Sequence, residues 1–301
     1  MRDTHKAEYW CNATYDLAPA RETAEQFFIS QHTVNQYAPG GRLIGQNSYE
    51  LDIFCTPAEA ETSGPDMYTC SRFAWDPHGK PQVTIPSLAG WSYPFEPSSF
   101  ENNGLDAQGL MWGLPHAKFE GMKDNAGKAV PIDPQYQVYS AFTYFHSFCG
   151  SSVVVNEAHR LRKIGDRTSI DTPPESPVNL GSMFLPTSRF VHGKASMEFA
   201  ALSVVDGNPC AVLRMQEIGG RFTMFIRPMP GLRVKSIGST RVSATLFLDL
   251  KTGWIRHAEA TVTDVTKTTM YGIPVELSTI ISDIRICAYP QKDYQTRIHN
   301  C

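Results

Sequence analysis

The stretch RVSATLFLDLKTGWIRHAEATVTDV, residues 241 to 265, decides the fold class of this chain. In its first arm, apolar residues alternate with polar ones: Val242, Ala244, Leu246, Leu248 and Leu250 against Ser243, Thr245 and Asp249. A period of two with one apolar side is typical of an antiparallel strand that buries one face. The segment KTG then turns the chain into a second arm, so the stretch predicts a hairpin of two long strands.

Further long strands are predicted on both sides of this hairpin. KASMEFAALSVV, residues 194 to 205, leads through DGNP into CAVLRMQEI, and Asp-Gly between apolar runs is a hairpin signal. PVELSTIISDIRICA, residues 274 to 288, closes the series. Strands of this length exceed the usual mode of about 5 to 6 residues. Long strands joined by hairpins indicate an antiparallel sheet that curves strongly around something.

An aromatic helix is predicted ahead of these strands, in DPQYQVYSAFTYFHSFC, residues 133 to 149. Asp133 suits the N-cap and Pro134 fits the first turn. Apolar side chains recur at spacings of three and four and cover nearly the whole circumference: Val138, Tyr139, Phe142, Phe145 and Cys149. A helix of this kind is buried on most of its surface. We therefore expect the curved sheet to enclose it.

Residues 1 to 130 are predicted to contribute a helix, strands and an aromatic loop. PARETAEQFFIS, residues 19 to 30, has Pro at a first helical position and acidic early turns, which predicts the helix. The segments 42–55 and 66–75 are rich in β-branched and aromatic residues and should extend the sheet. Residues 89 to 109 form an irregular connection, whose aromatic side chains favour a packed loop.

The predicted fold class is mainly β (α+β): a strongly curved antiparallel sheet, an open or half β-barrel, wrapped around an aromatic helix. We interpret residues 1 to 301 as a single domain whose C-terminal long-stranded sheet spans 160 to 290. The alternative is two domains divided at the Pro-rich segment DTPPESPVNLG, residues 171 to 181. One domain is favoured because a lone aromatic helix needs the C-terminal sheet to bury it.

Composition argues against several functional classes. The net charge is -3 and the chain has no basic block, so sequence-independent binding to nucleic acid is not expected. No run of 18 apolar residues predicts a membrane span, and the first residues lack the apolar segment of a signal peptide. The sequence does not distinguish a cytoplasmic protein from a processed exported one, and it does not indicate the oligomeric state.

The seven cysteines are scattered without a C-x-x-C pair, and no H-E-x-x-H occurs, so no metal or cofactor is predicted. Two details favour an oxidising compartment. Asn12-Ala13-Thr14 fits the N-glycosylation triplet. Cys55 and Cys70 flank a polar loop symmetrically, which would let a hairpin join them in a disulfide. The alternative is that both are small, buried apolar side chains.

Histidine acid–base chemistry is the catalytic prediction that remains, because no nucleophile elbow or phosphate-binding loop is present. His146 lies on the aromatic helix and His116 lies in a Gly/Pro-rich loop. Carboxylate partners for them are available in Asp249, Glu259 and Asp283. The residues predicted to contact a ligand are aromatic: Trp91, Tyr93, Trp112, Tyr139 and Phe142. The alternative is that both histidines and these aromatics simply form core.

Three functions fit this prediction. The first is a binding protein for a hydrophobic small molecule that also acts as a cofactor-independent isomerase, cyclase or lyase through His146 and His116. The second is a non-catalytic carrier of lipids or other hydrophobic ligands. The third is an extracellular structural or assembly module. Burial in an aromatic pocket would lower the pKa of a histidine and keep the imidazole neutral, as a base must be.

Overall fold

The computed structural model describes the following residues of the chain: 12–17, 24–58, 65–77, 80–95, 114, 116–149, 157–170, 175–177, 187–229, 231–270 and 273–290. The strands are β1 (Gln26–Tyr37), β2 (Leu43–Thr56), β3 (Asp66–Pro77), β4 (Val83–Thr84), β5 (Trp91–Phe95), β6 (Arg167–Ile170), β7 (Glu175–Pro177), β8 (Arg189–Val191), β9 (Lys194–Val205), β10 (Asn208–Met229), β11 (Leu232–Asp249), β12 (Ile255–Met270) and β13 (Ile273–Pro290). The helices are α1 (Ile132–Phe148) and two 3-10 turns, His116–Lys118 and Ala158–Arg160.

All thirteen described strands belong to one sheet, and every pairing in it is antiparallel. The order is β4-β3-β2-β1-β13-β12-β11-β10-β8-β7, with β5 beside β3, β9 beside β10 and β6 beside β9. In the described ranges the two ends of this order do not pair with each other. The sheet is therefore open, and the prediction of a mainly β, open or half barrel around one helix is confirmed.

The strand β1 lies in the middle of the sheet, between β2 and β13. The predicted helix 19–30 is wrong from residue 26 onwards, because those residues form β1; residues 19–23 lie outside the described residues. The face of β1 that points into the core carries Ser30 and His32 as well as Phe28 and Val34. Two buried polar side chains interrupt the apolar alternation, and the strand pattern is hidden for that reason.

The helix α1 spans residues 132 to 148, close to the predicted 133 to 149. Its N-cap is Pro131, and no side chain caps it, so the capping role predicted for Asp133 is wrong. Phe142 stacks on Phe73 of β3 with ring centroids 5.9 Å apart, and Phe145 meets Phe28 of β1 at 5.2 Å. We call the side of the sheet that carries α1 the inner face and the opposite side the outer face.

The inner face holds one large core to which strands from both halves of the chain contribute. On β10 to β13 the core combines larger aliphatic side chains with five alanines: Ala211, Ala244, Ala258, Ala260 and Ala288. The outer face has its own small apolar cluster around Phe27 and Tyr289. A trough of about 550 Å³ with mostly polar side chains crosses β1, β13, β12, β11 and β10 on this outer face.

The hairpin of β2 and β3 forms as predicted, but Cys55 and Cys70 are buried thiols that are not joined in a disulfide, so the proposed disulfide is wrong. The register of the hairpin between its turn and Ile53 is the cause. It places Cys55 opposite Tyr68 and Cys70 opposite Ile53. Cysteines that are not directly opposed across a ladder do not reach the short Cα separation that a disulfide needs.

Candidate functional site

The candidate site is built around a buried pair of polar side chains from two elements. Tyr93 stands on β5 and His146 on the last turns of α1. The Tyr93 hydroxyl lies 2.9 Å from Nε2 of His146, and the two residues are 2% and 0% exposed. A hydrogen bond of this length between fully enclosed groups fixes both rings in one arrangement.

The described ring neighbours of His146 are all aromatic. Phe95 stacks on the imidazole with centroids 3.7 Å apart, Tyr68 meets it edge-on at 4.8 Å, and Phe145 lies at 4.9 Å. Among the described residues, Nδ1 of His146 has no hydrogen-bond partner. A buried polar atom without a partner is costly in free energy. A hydrogen-bonding group on a ligand would supply the partner that Nδ1 lacks among the described residues.

The aromatic cluster continues from Tyr93 towards the surface. Trp91 stacks on Tyr93 at 4.4 Å and meets Phe142 at 5.6 Å. Phe119 then joins Trp91, Phe142 and Tyr139, with centroid distances of 5.3 to 5.6 Å. Trp91 is only half-buried. The cluster thus runs without interruption from the enclosed histidine to a ring that reaches solvent.

A lysine marks the outer end of this cluster. Nζ of Lys118 lies 5.5 Å from the centroid of the Trp91 ring, within the range of a cation–π contact. Lys118 also lines a pocket of about 310 Å³, together with Met122, Lys123 and Asp124. Lys118 therefore belongs both to this pocket and to the Trp91 end of the aromatic cluster.

The electrostatics of the pair favour neutral forms. Burial lowers the pKa of His146 well below its ordinary value, because the charged imidazolium loses its hydration. Burial likewise raises the pKa of Tyr93 well above its ordinary value, with the nearby Cys70 and Cys55 adding to the effect. The pair can donate and accept hydrogen bonds at neutral pH, but neither ring holds a charge easily.

The structure brings five of the seven predicted site residues into one cluster: Trp91, Tyr93, Tyr139, Phe142 and His146. Trp112 and the side chain of His116 lie outside the described residues, so a shared pocket for the two histidines stays a prediction. The predicted carboxylate partners point elsewhere. Glu259 and Asp283 line the outer trough, and Asp249 closes the turn between β11 and β12.

A second group of buried polar residues escaped sequence analysis. His32 is 1% exposed on the inner face of β1, beside the ring of Tyr144 at 5.2 Å. Asp264 of β12 faces the same side, where burial raises its pKa to about 6 against a hydrogen bond from Thr240. If β1 had been predicted as a strand, His32 would have been recognised as a core residue, because it falls on the same face as Phe28. In β12, Asp264 likewise falls on the same face as the buried Ala260 and Val262.

Comparison with solved structures finds several distant similarities. It is similar to lipovitellin, from a structure of lipid–protein interactions, with 11% identity over 89% of this chain and 26% of that one, at a TM-score of 0.32. The chain therefore spans about a quarter of the lipovitellin chain's length. It is also similar to OmpF of Salmonella typhi in complex with daunomycin: 6% identity, 89% and 98% coverage, TM-score 0.24.

A DUF1329 family protein from Desulfovibrio piger is similar over 91% of this chain and 90% of its own, with 8% identity and a TM-score of 0.16. No protein-family model and no curated protein sequence matches the chain. Within the described ranges, no helix combines the length and the apolar character that crossing a membrane requires. Nor do three or more His, Cys, Asp or Glu side chains of those ranges gather as metal ligands would.

Proposed function

We propose that the protein binds a hydrophobic small molecule that carries a polar group. Its apolar part would replace contacts within the aromatic cluster next to Trp91, and its polar group would hydrogen-bond to the Tyr93–His146 pair. Binding sites for small molecules are usually apolar surfaces with a few polar groups that converge on the ligand. The observation that carries the proposal is Nδ1 of His146, which is enclosed by aromatic rings and has no hydrogen-bond partner in the part of the chain that the structure describes.

The pKa shifts favour binding over catalysis. A general base works best when its pKa lies near the working pH. Burial moves the pKa of His146 far below that range, so at neutral pH the imidazole accepts a proton reluctantly. Binding a ligand by a hydrogen bond, by contrast, requires only the neutral imidazole, and burial keeps His146 in that form at neutral pH. A non-catalytic carrier is therefore the function we favour.

The second candidate is a cofactor-independent isomerase, cyclase or lyase, which the 2.9 Å separation of Tyr93 and His146 favours. That distance lies within the range that proton transfer between two groups requires. In this version His146 and His116 move protons on the bound hydrophobic molecule. His146→Ala should then lower the rate by about 100-fold or more, the usual effect of removing an acid–base group.

The carrier proposal is tested first by looking for a natural ligand. Protein purified under native conditions is denatured, extracted with organic solvent and analysed by mass spectrometry. We expect a hydrophobic molecule in amounts comparable with the protein. Titration with the apolar dye 1-anilinonaphthalene-8-sulfonate, before and after extraction, should show that dye fluorescence rises when the site has been emptied, and that the fluorescence of Trp91 is quenched.

The variant Tyr93→Phe tests the site itself. It keeps the ring and removes the hydroxyl, so the fold should survive while affinity for the extracted molecule falls by about fivefold, the effect of one neutral hydrogen bond. Tyr289→Phe makes the same chemical change in the outer apolar cluster and serves as the control. If no molecule is extracted and both variants bind the dye like the unmodified protein, the proposed site is wrong.

A further inference from the structure

We propose that the outer face of β10 to β13 docks on the surface of an anionic lipid bilayer. The surface in question lies beyond the polar trough, towards the β10–β11 and β12–β13 turns. We call it the basic-apolar surface. Its cations are Arg221, Lys235, Arg241 and Lys267, and its apolar members are Ile218, Ile237, Val265 and Leu277.

Strand register places these side chains on one face. Ile237 is opposite Lys267, which in turn is opposite Leu277. Further along β11, Arg241 is opposite Ile218 of β10. Directly opposed residues of an antiparallel ladder point to the same side, as do residues two apart on one strand. Cations and aliphatic side chains therefore lie on the same face of four neighbouring strands.

The apolar members are exposed to a degree that the fold does not require. Ile218 is 52% exposed, Leu277 48%, Ile237 42% and Val265 40%. Four such side chains on one face of a regular sheet are unusual, because contiguous exposed apolar patches generally mark an interaction site. On the inner face of the same strands the corresponding positions are buried, for example Ser236 and Thr240 of β11. At this end of the strands the inner face therefore includes polar positions, while apolar side chains are exposed on the outer face.

The charge on this surface has one sign. Within the described ranges none of its four cations forms an ion pair, although Lys235 lies 5.5 Å from the centroid of the Phe225 ring. Three acidic groups lie at its borders, and each has a described partner: Asp283, in the trough, accepts a hydrogen bond from Thr261 at 2.9 Å. Glu175 of the edge strand β7 pairs with Arg189 at 3.0 Å, and Glu259 in the trough pairs with Arg285 at 3.4 Å. The surface is positive on a chain whose net charge is -3.

Anionic lipid fits this combination better than the other polyanions do. Each Lys or Arg close to an acidic leaflet contributes to binding, and aliphatic side chains add to it by entering the boundary between headgroups and acyl chains. A nucleic acid would use the cations alone and would leave the four aliphatic residues exposed to water. An acidic protein partner would need to match both patterns over the same area.

The test is co-sedimentation of the whole chain with vesicles of phosphatidylcholine, either pure or with about one third phosphatidylserine to give an acidic surface. We expect binding to the acidic vesicles that weakens as salt is added, and little binding to the neutral ones. The double variant Arg241→Gln/Lys267→Gln should bind at least about tenfold more weakly, since each basic residue contributes about fivefold. Ile237→Ser/Leu277→Ser should also weaken binding, at unchanged salt dependence.

The control is Lys80→Gln/Lys128→Gln, the same change of charge at two exposed lysines near the β3–β4 connection and ahead of α1. It should bind like the unmodified chain, and circular dichroism should show that all variants keep the fold. The proposal is overturned if neutral and acidic vesicles bind equally. It is also overturned if the control and the basic-surface variants lose affinity alike, or if duplex DNA binds and acidic vesicles do not.

Discussion

At the scale of single residues, His32 is the most unusual side chain of the inner core. It is 1% exposed, and among the described residues neither ring nitrogen has a hydrogen-bond partner. Its described ring neighbours are Tyr49 and Tyr144, at 5.8 Å and 5.2 Å. Burial lowers its pKa to about 3, because nothing nearby compensates the lost hydration of the imidazolium. The residue is therefore neutral wherever the chain is folded.

This shift predicts a dependence of stability on pH. The unfolded chain binds a proton at His32 below pH 6.5, whereas the folded chain does so only near pH 3. The contribution to stability is complete above pH 6.5 and is lost as the pH falls towards 3. Between pH 7 and 5.5 the loss should be about 1 kcal/mol from this residue. His32→Leu should remove that part of the loss, as measured by urea unfolding at both pH values.

The test compares the change in unfolding free energy between pH 7 and 5.5 in the variant with the same change in the unmodified protein. The contributions of other groups cancel in this difference. Asp52 and Asp264, whose pKa values burial raises to about 6, act in the opposite sense and are present in both proteins. An equal fall in stability for the two proteins between pH 7 and 5.5 would contradict the assignment of His32 as a buried neutral group.

Gly193 shows how closely two strands approach next to the β-bulge in β10. A Cβ atom there would lie 2.6 Å from the backbone nitrogen of Gly220 and even nearer to the carbonyl oxygen of Ile218. Gly193→Ala should therefore lower the free energy of unfolding by about 1 to 3 kcal/mol, as overpacking does. Gly45→Ala in β2 is the control, because its Cβ would meet Gln36 at an ordinary 3.6 Å. Chemical unfolding that shows equal stabilities would contradict this.

At the same scale, the sequence indicates some of the contacts of the candidate site and leaves others without a signal. Helical spacing was enough to put His146 on the same side as Phe142. The partner Tyr93 was expected only as a ligand contact, because its hydrogen bond to His146 depends on where β5 pairs with β3. Such a contact between distant segments is set by strand register and has no local signature.

At the scale of elements, the turn between β11 and β12 is held by Asp249, a residue that looked like a catalytic partner in the sequence. Its carboxylate accepts hydrogen bonds from the backbone of Lys251 and Thr252 and lies 2.9 Å from Nε of Arg256. Arg256 is 7% exposed and donates further to Thr252 and Gln26. The carboxylate thus joins the hairpin to the first residue of β1.

Asp249→Ala should be strongly destabilising, by about 3 kcal/mol or more, because it leaves the buried guanidinium without its countercharge. Glu198→Gln provides the control. It removes a carboxylate 3.3 Å from Arg167, whose side chain is 74% exposed, and pairs of that kind contribute about 1 kcal/mol at most. Denaturant midpoints distinguish the two variants, and similar losses in both would contradict the structural role of Asp249.

The elements that were predicted correctly are those with an uninterrupted pattern. The strands β9 to β13, β2 and β3 alternate or are rich in β-branched and aromatic residues, and α1 repeats at helical spacing. For β1, polar residues at core positions concealed the alternation, and Pro19 with its acidic neighbours imitated the start of a helix. Side chains that are polar for a tertiary reason thus defeat a method that reads burial from polarity.

At the scale of the whole molecule, hairpins explain most of the strand order, since β1–β2–β3 and β9 to β13 are neighbours in sequence and in the sheet. The pairing of β1 with β13 is different. It joins the N-terminal strands to the C-terminal ones along twelve paired positions, from Gln26 with Pro290 to Tyr37 with Thr279. We call this pairing the seam between the two halves of the chain. No local pattern indicates it, so sequence analysis could favour one domain over two but could not predict that β1 pairs with β13.

We expect the whole chain to unfold in a single transition, because the inner core contains residues from both sides of that seam. The free, buried Cys70 of β3 and Cys210 of β10 report on the two halves. Alkylation at increasing urea concentration, followed by peptide mass spectrometry, should give the same midpoint for both cysteines. Two separate midpoints would favour the two-domain alternative with its division near residues 171 to 181.

The position of β1 also affects how the protein is made. A ribosome delivers β1 early and β13 only after most of the chain has emerged, on the order of ten seconds or more later at ordinary elongation rates. During that interval the nascent β1 has β2 on one side and an unpaired backbone edge on the other. An unpaired edge of this length is open to pairing with other chains. Synthesis in cells should therefore depend on chaperones that shield this edge until β13 arrives.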